Sequence, residues 1–307
     1  MSAPQALAHI IRNEMVESAH FGHLLITDKT SSEIFSLGDP QALIFPRSAI
    51  KPIQARAMVK LGLNIEPRLL ALVIASHSGS IVHLAGVREL LKQFSLDESA
   101  LQCMLDKPLG DAERRAWGEK PATRITMNCS GKHAAMLLTC VTNGWPVANY
   151  LDPAHPLQVA IKKELEDLAG EKITLTSTDG CGAPLFLISL AGLARAIRAI
   201  TISEDPVHQE VMSASRNNPV MVAGNGRLTT EMMQAVAGLY MKDGAEAVEV
   251  ASMQDGRTLV FKVSDGSLRP FRVLVHAGLK ALGIDSPYEQ ENVLGGDRVI
   301  GTIRATF

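Results

Sequence analysis

Ser48 and Lys51 stand one helical turn apart in the run Phe45-Pro46-Arg47-Ser48-Ala49-Ile50-Lys51-Pro52. A serine hydroxyl attacks poorly until a base takes its proton. On a helix, positions i and i+3 share a face, so Lys51 can reach the Ser48 hydroxyl. A lysine serves as that base when burial or a nearby cation lowers its pKa. Arg47, beside Ser48, could supply that crowding or hold a substrate carboxylate. The plainer alternative is a serine cap with an unrelated surface lysine, and the spacing alone does not choose between them.

Three further polar, glycine-rich clusters and one isolated lysine bear on the choice. Ser76-His77-Ser78-Gly79 follows an apolar helix; it reads as a helix end with a left-handed glycine, or as a second source of a hydroxyl. Asn128-Cys129-Ser130-Gly131-Lys132-His133 places small and polar residues at a helix start, where free N–H groups bind anions. Asp179-Gly180-Cys181-Gly182 reads as a tight turn or as a loop whose Asp179 receives a substrate ammonium. Cys129 and Cys181 each lie in such a loop, and two thiolates with a nitrogen could hold zinc. No C-x-x-C or H-E-x-x-H spacing accompanies them. Lys262 sits in the apolar run Leu259-Val260-Phe261-Lys262-Val263, where an unpaired ammonium is costly. It must reach solvent from an edge, pair with Asp265, or point into a site.

These groups need elements to position them. Phe21–Thr27 and Glu33–Ser36 read as strands, and Ser48 opens a helix to about Leu63. Apolar spacing predicts helices at Leu69–Ala75, around Val82–Leu91 and at Ala134–Val141. Residues 102–127 read as loop-rich. A long helix is expected from Asp152 to Leu168, a strand at Ile173–Thr176, and helices near 185–199, 206–215 and 230–240. A hairpin around Asp255-Gly256 joins strands Ala247–Ala251 and Thr258–Val263, and a helix follows from Arg269 to Leu282. Strands at both ends with helices between predict an α+β fold, a sheet flanked by helices with a helical middle. One domain spanning 1–307 is expected, in two intimately joined parts at most.

Composition excludes several classes. The chain has 307 residues, 46% hydrophobic and 20% charged, with a net charge of -2. That balance, with no basic block, argues against a nucleic-acid surface. Apolar stretches are broken short of the ~18 residues a membrane span needs. The start Met1-Ser2-Ala3-Pro4-Gln5 carries no charged, apolar leader, so a cytoplasmic protein is expected. Its four cysteines then read as free thiols or ligands, Cys140 being a core residue.

In order along the chain, the Arg47–Pro52, Ser76–Gly79, Asn128–His133 and Asp179–Pro184 blocks resemble the asparaginase II family, the Rhizobium etli-type L-asparaginases. Glu17–His20, His155–Gln158, Val222–Arg227 and Lys262–Gly266 extend the likeness over nearly the whole chain. The resemblance implies hydrolysis of L-asparagine to L-aspartate and ammonia, on a fold like that of serine β-lactamases and glutaminases, in a homodimer. It implies a serine–lysine tandem at Ser48 and Lys51, and a second at Ser76 and Lys262. It places Asp179 at the substrate amine and His133, with Arg47, near the substrate. It implies a zinc site at Cys129, Lys132 and Cys181, auxiliary to the serine chemistry. Two positions depart from the family: Thr229 stands where relatives can carry cysteine, and Asn218-Pro219 where they carry His-Pro. Alternatives are a glutaminase, a β-lactam-reactive relative, or a non-catalytic amino-acid-binding protein. Neither S-D-N nor K-T-G is present to support the β-lactam reading, and binding alone does not need two serine–lysine pairs.

Overall fold

A computed structural model describes residues 3–307. The chain opens with strands β1 (Gln5–Arg12), β2 (Met15–Thr27), β3 (Glu33–Leu37) and β4 (Leu43–Ile44). A single 3-10 turn, Arg47–Ile50, leads directly into α1 (Lys51–Lys60). Then come α2 (Pro67–Ile74), α3 (Ile81–Lys92), α4 (Asp111–Trp117), α5 (Ser130–Thr142) and α6 (Pro156–Ala169). Short strands β5 (Thr176–Thr178), β6 (Pro184–Phe186) and β7 (Ile188–Ser189) precede α7 (Leu190–Ile202), α8 (Pro206–Asn217), α9 (Pro219–Val222) and α10 (Leu228–Ala235). The chain returns to the sheet with β8 (Leu239–Gly244), β9 (Val248–Met253) and β10 (Thr258–Val263). Helix α11 (Phe271–Ala281) and strands β11 (Asn292–Gly295) and β12 (Arg298–Ala305) complete it.

Eight strands form one sheet in the order β11-β12-β1-β2-β10-β9-β8, with β3 also paired to β2. All its pairings are antiparallel. Helix α7 packs on β2, β9 and β10, and α11 packs on β1 and β12. Helix α1 stands at the centre of the helical part, touching α2, α5, α6, α7 and α8. That central place explains its sequence: every residue from Lys51 to Met58 is buried, polar ones included. A continuous apolar cluster joins the sheet to the helices. The α+β expectation is thus met, with the strands of both chain ends side by side.

Several boundaries differ from the sequence reading. The loop-rich stretch 102–127 contains α4. Helix α6 begins at Pro156, because His155 caps it by accepting the Leu157 N–H, so Asp152 lies outside. The strand expected at 173–176 forms at 176–178, and the helix expected near 185 follows only after β6 and β7. The largest difference concerns 230–240. Helix α10 stops at Ala235, Gly238 turns the chain at φ 79°, and Leu239 starts strand β8. A left-handed backbone is cheap for glycine and ends a helix.

Candidate active site

Ser48 lies in the 3-10 turn and Lys51 opens the helix that the turn feeds. Pro52 sits in the first helical turn, where its missing N–H removes no bond. Arg47 takes φ 53°, a left-handed conformation that a non-glycine residue adopts at a cost. In that conformation its Nε donates to Asp179 Oδ1 at 2.7 Å. The Lys51 amine is buried, 1% exposed. It donates to the Ala75 carbonyl and lies 3.4 Å from Ser76 Oγ. Among the described residues, no hydrogen bond joins Lys51 to the Ser48 hydroxyl, which is left without a partner.

Ser76 is fixed by the loop that leaves α2. Its N–H donates to Val222 O, the His77 N–H to Asn128 O, and the Ser78 N–H to Ala223 O. The loop is therefore strung between the start of α5 and the segment after α9. His77 is fully buried, and burial first, then His83 and Lys51, hold it neutral. Its Nε2 meets Ser130 Oγ at 2.8 Å, and Ser130 in turn donates to Ile125 O. Since the serine proton goes to the carbonyl, His77 Nε2 carries the ring proton. Gly131 lets α5 start close against α2, because a Cβ there would lie 2.6 Å from Leu72 O.

The lysine at Ser76 is Lys242, not Lys262. Lys242, on β8 and 0% exposed, donates from Nζ to Ser76 Oγ at 2.9 Å. The same nitrogen contacts Asp243 O at 2.7 Å and Asp243 Oδ1 at 2.5 Å, and Asp243 Oδ2 accepts from Arg227 at 3.2 Å. Lys262 instead ends in two backbone carbonyls, Glu246 O and Val263 O, at 2.5 and 2.6 Å. It lies at the end of β10, where a long side chain covers apolar surface and carries its charge to the strand terminus. Asp265 pairs with His20 rather than with Lys262. Burial lowers the Lys242 pKa against the pull of Asp243, and Lys51 lowers it further. Asp243 resists the opposing effect of burial, and Lys242 and Arg227 hold it down at about 2.

A second cluster lies where α5 meets the β5–β6 loop. Lys132, 2% exposed, donates to Cys181 Sγ at 3.4 Å. A hydrogen bond from the Cys129 thiol lowers the Cys181 pKa to about 6 against the cost of burial, with Lys132 adding to the effect. Cys181 thus lies between the Lys132 amine and the Cys129 thiol, whose Sγ is also 3.1 Å from Asn128 Oδ1. Asp179 stands beside it, Oδ2 3.7 Å from Cys181 Sγ. Burial opposes its ionisation, but Lys132, Arg47 and the Gly180 N–H keep its pKa low. His133 faces away from these sulfurs toward the Tyr150 hydroxyl at 2.7 Å, and burial, then Lys132, push it down to about 3. Tyr150 also accepts from the Gln102 N–H at 3.1 Å. His133 Nε2 is buried and without a partner among the described residues.

The donor set suits zinc in kind: two sulfurs and an amine, all buried, with one thiol already disposed to lose its proton. Among the described residues, no group of three or more His, Cys, Asp or Glu side chains gathers as a metal site. A metal held here would need Lys132 beside the two cysteines.

Two buried amines, Lys51 and Lys242, thus meet at the Ser76 hydroxyl. The sequence matches the L-asparaginase II family over residues 8–303, and the chain belongs to that family. It is accordingly an amidohydrolase. No curated protein matches it. Among solved structures it is similar to a beta-lactamase from Mycobacterium bovis, at 14% identity and a TM-score of 0.44, covering 85% of this chain and 94% of that one. It is similar also to EstCE1, a hydrolase with promiscuous acyltransferase activity, at 11% identity and 0.39, covering 89% and 93%. Likenesses this distant carry no argument about activity. Among the described residues, no helix is long and apolar enough to cross a membrane.

Proposed function

We propose that this chain hydrolyses L-asparagine to L-aspartate and ammonia, with Ser48 as nucleophile and Lys51 as its base. The observation that carries the reading is the buried relay Lys51–Ser76–Lys242, whose Lys51 stands three residues after Ser48. Ser48 has a free hydroxyl; that of Ser76 is engaged by two amines. A free hydroxyl suits attack, and an engaged one suits proton transfer. Lys51 takes the Ser48 proton as oxygen bonds to the carboxamide carbon. The proton then passes through Ser76 to the departing nitrogen, and ammonia leaves an ester on Ser48. Water cleaves that ester with the same groups acting in reverse.

The rim suits an α-amino acid. Arg47 and Asp179 are paired with each other, with side chains 21% and 12% exposed. A zwitterion entering between them would meet Arg47 with its carboxylate and Asp179 with its ammonium, replacing one ion pair by two. Mass spectrometry after a rapid quench with L-asparagine tests the assignment. An acyl adduct on Ser48 is expected; an adduct on Ser76 would move the nucleophile there.

Asp243 sets the pH at which the relay works. A neutral Lys242 can accept a proton, so turnover should rise with pH through its lowered pKa. Removing the adjacent negative charge destabilises the ammonium, so Asp243→Asn should move this acid limb of kcat to lower pH. A limb that stays in place would detach it from Lys242.

Zinc, in this proposal, would be held by Cys129, Lys132 and Cys181, and would supply fixed positive charge beside Asp179. Lys132 must lose its proton to bind, so metal affinity should fall as pH falls. Because Ser48 and Lys51 already supply a nucleophile and its base, chelation should lower turnover only in part. Complete loss of turnover, restored by zinc, would make the metal essential. The four cysteines are free and buried, which supports a reducing, cytoplasmic setting. A homodimer is proposed on the family resemblance, and light scattering on the purified chain tests it.

A further inference from the structure

We infer that Glu249 is a positioning residue for Lys242, holding the β8 backbone at that lysine through one carboxyl oxygen rather than through its charge. The inference rests on the role given to Lys242 above. Glu249, on β9, is 0% exposed. Its Oε1 accepts the N–H of Lys242 at 3.1 Å and that of Val250 at 3.0 Å. Its Oε2 is buried and meets no donor among the described residues. Leaving a full negative charge unserved in the interior costs far more than leaving one protonated oxygen unpaired, so the orphaned Oε2 suits the neutral acid.

The neighbours favour the neutral form. Across the β8–β9 ladder, Glu249 stands opposite Asp243, which is already ionised between Lys242 and Arg227. Burial first, then Asp243, push the Glu249 pKa well up, and Lys242 offsets only part of this. From β8, Tyr240, whose buried hydroxyl has no partner, lies within electrostatic reach of Glu249 without a hydrogen bond to it. Arg216 of α8 is felt by that tyrosine. On its other side, β10 opposes it with Phe261, which has no charge. Helix α7 and the 3-10 turn also pack on β9. Their cations are engaged elsewhere: Arg195 with Glu171, Arg198 with Lys29 O, and Arg47 with Asp179.

Glu249→Gln keeps the acceptor and the shape of the neutral acid. It should leave kcat within about threefold of the parent and leave its pH limb in place. Glu249→Leu removes the acceptor, and kcat should fall by roughly tenfold or more with KM unchanged. Thermal melts report whether the leucine variant folds; if it does not, the glutamine profile still decides. An ionised Glu249 would raise the Lys242 pKa, so a limb shifted to lower pH in Glu249→Gln would overturn the proposal. Full kcat in Glu249→Leu would overturn it too, provided Lys242→Met is inactive. A fully active Lys242→Met would bring down the role of Lys242 itself, a separate failure.

Discussion

Replacing Ser48 by alanine is expected to lower kcat for L-asparagine by about 10³-fold or more, while KM and the melting temperature stay near those of the parent. The hydroxyl has no hydrogen-bond partner among the described residues, and its residue is 8% exposed. Its removal therefore breaks no buried bond and leaves no orphaned donor. Lys51→Ala should be equally inactive but less innocent, because Lys51 is 1% exposed and bonded to the Ala75 carbonyl. That carbonyl would lose its partner, and the melt should fall. Ammonia release and circular dichroism on both variants check the pair. Near-normal turnover in a folded Ser48→Ala protein would transfer the attack to Ser76.

The second large effect separates Lys242 from Lys262, the lysine that the sequence reading pairs with Ser76. Lys242→Met should lower kcat by about 10²-fold or more, because Ser76 loses its closest proton partner. Asp243 keeps Arg227 at 3.2 Å, so the buried carboxylate is not abandoned and the fold should survive with a lowered melt. Lys242→Arg should not restore turnover, since guanidinium stays protonated and cannot accept a proton. Lys262→Met, by contrast, should leave kcat within about threefold of the parent, because its amine serves only backbone carbonyls. Assaying the three variants together is decisive. An inactive Lys262→Met beside an active Lys242→Met would reverse the assignment.

Most of this site is legible in the chain because its parts lie in loops and helix starts. There, small and polar residues interrupt apolar runs, as in Arg47-Ser48 or Cys129-Ser130-Gly131-Lys132. Lys242 is not legible in that way. It sits in Leu239-Tyr240-Met241-Lys242-Asp243-Gly244, which continues an apolar stretch with helical spacing and ends in an Asp-Gly pair that reads as a turn. Only the packed sheet shows that this stretch is a strand and that its lysine is buried. Lys262 looks like the better candidate because it lies in an unambiguous strand. Burial depends on which end of the strand meets solvent, and one-dimensional patterning does not carry that. The signal that could have found Lys242 is the adjacent Asp243, since a buried lysine needs a counter-charge. Helix α4 escapes for another reason: its seven residues carry no buried face, so no apolar period marks it.

The strand order has a consequence for how the molecule comes into being. β1 and β2 are made first, yet β1 is completed by β12 and β2 by β10, the register Ala8 with Ala305 joining opposite ends of the chain. During synthesis the opening hairpin must wait, with unpaired edges, for nearly the whole polypeptide to emerge. Such edges invite pairing with other chains, and contacts so distant in sequence make for slow closure. Lys242 reaches Ser76 only when β8 docks, late in that sequence. Catalytic competence should therefore mark the end of folding, and a nascent or truncated chain should be inactive and prone to aggregation.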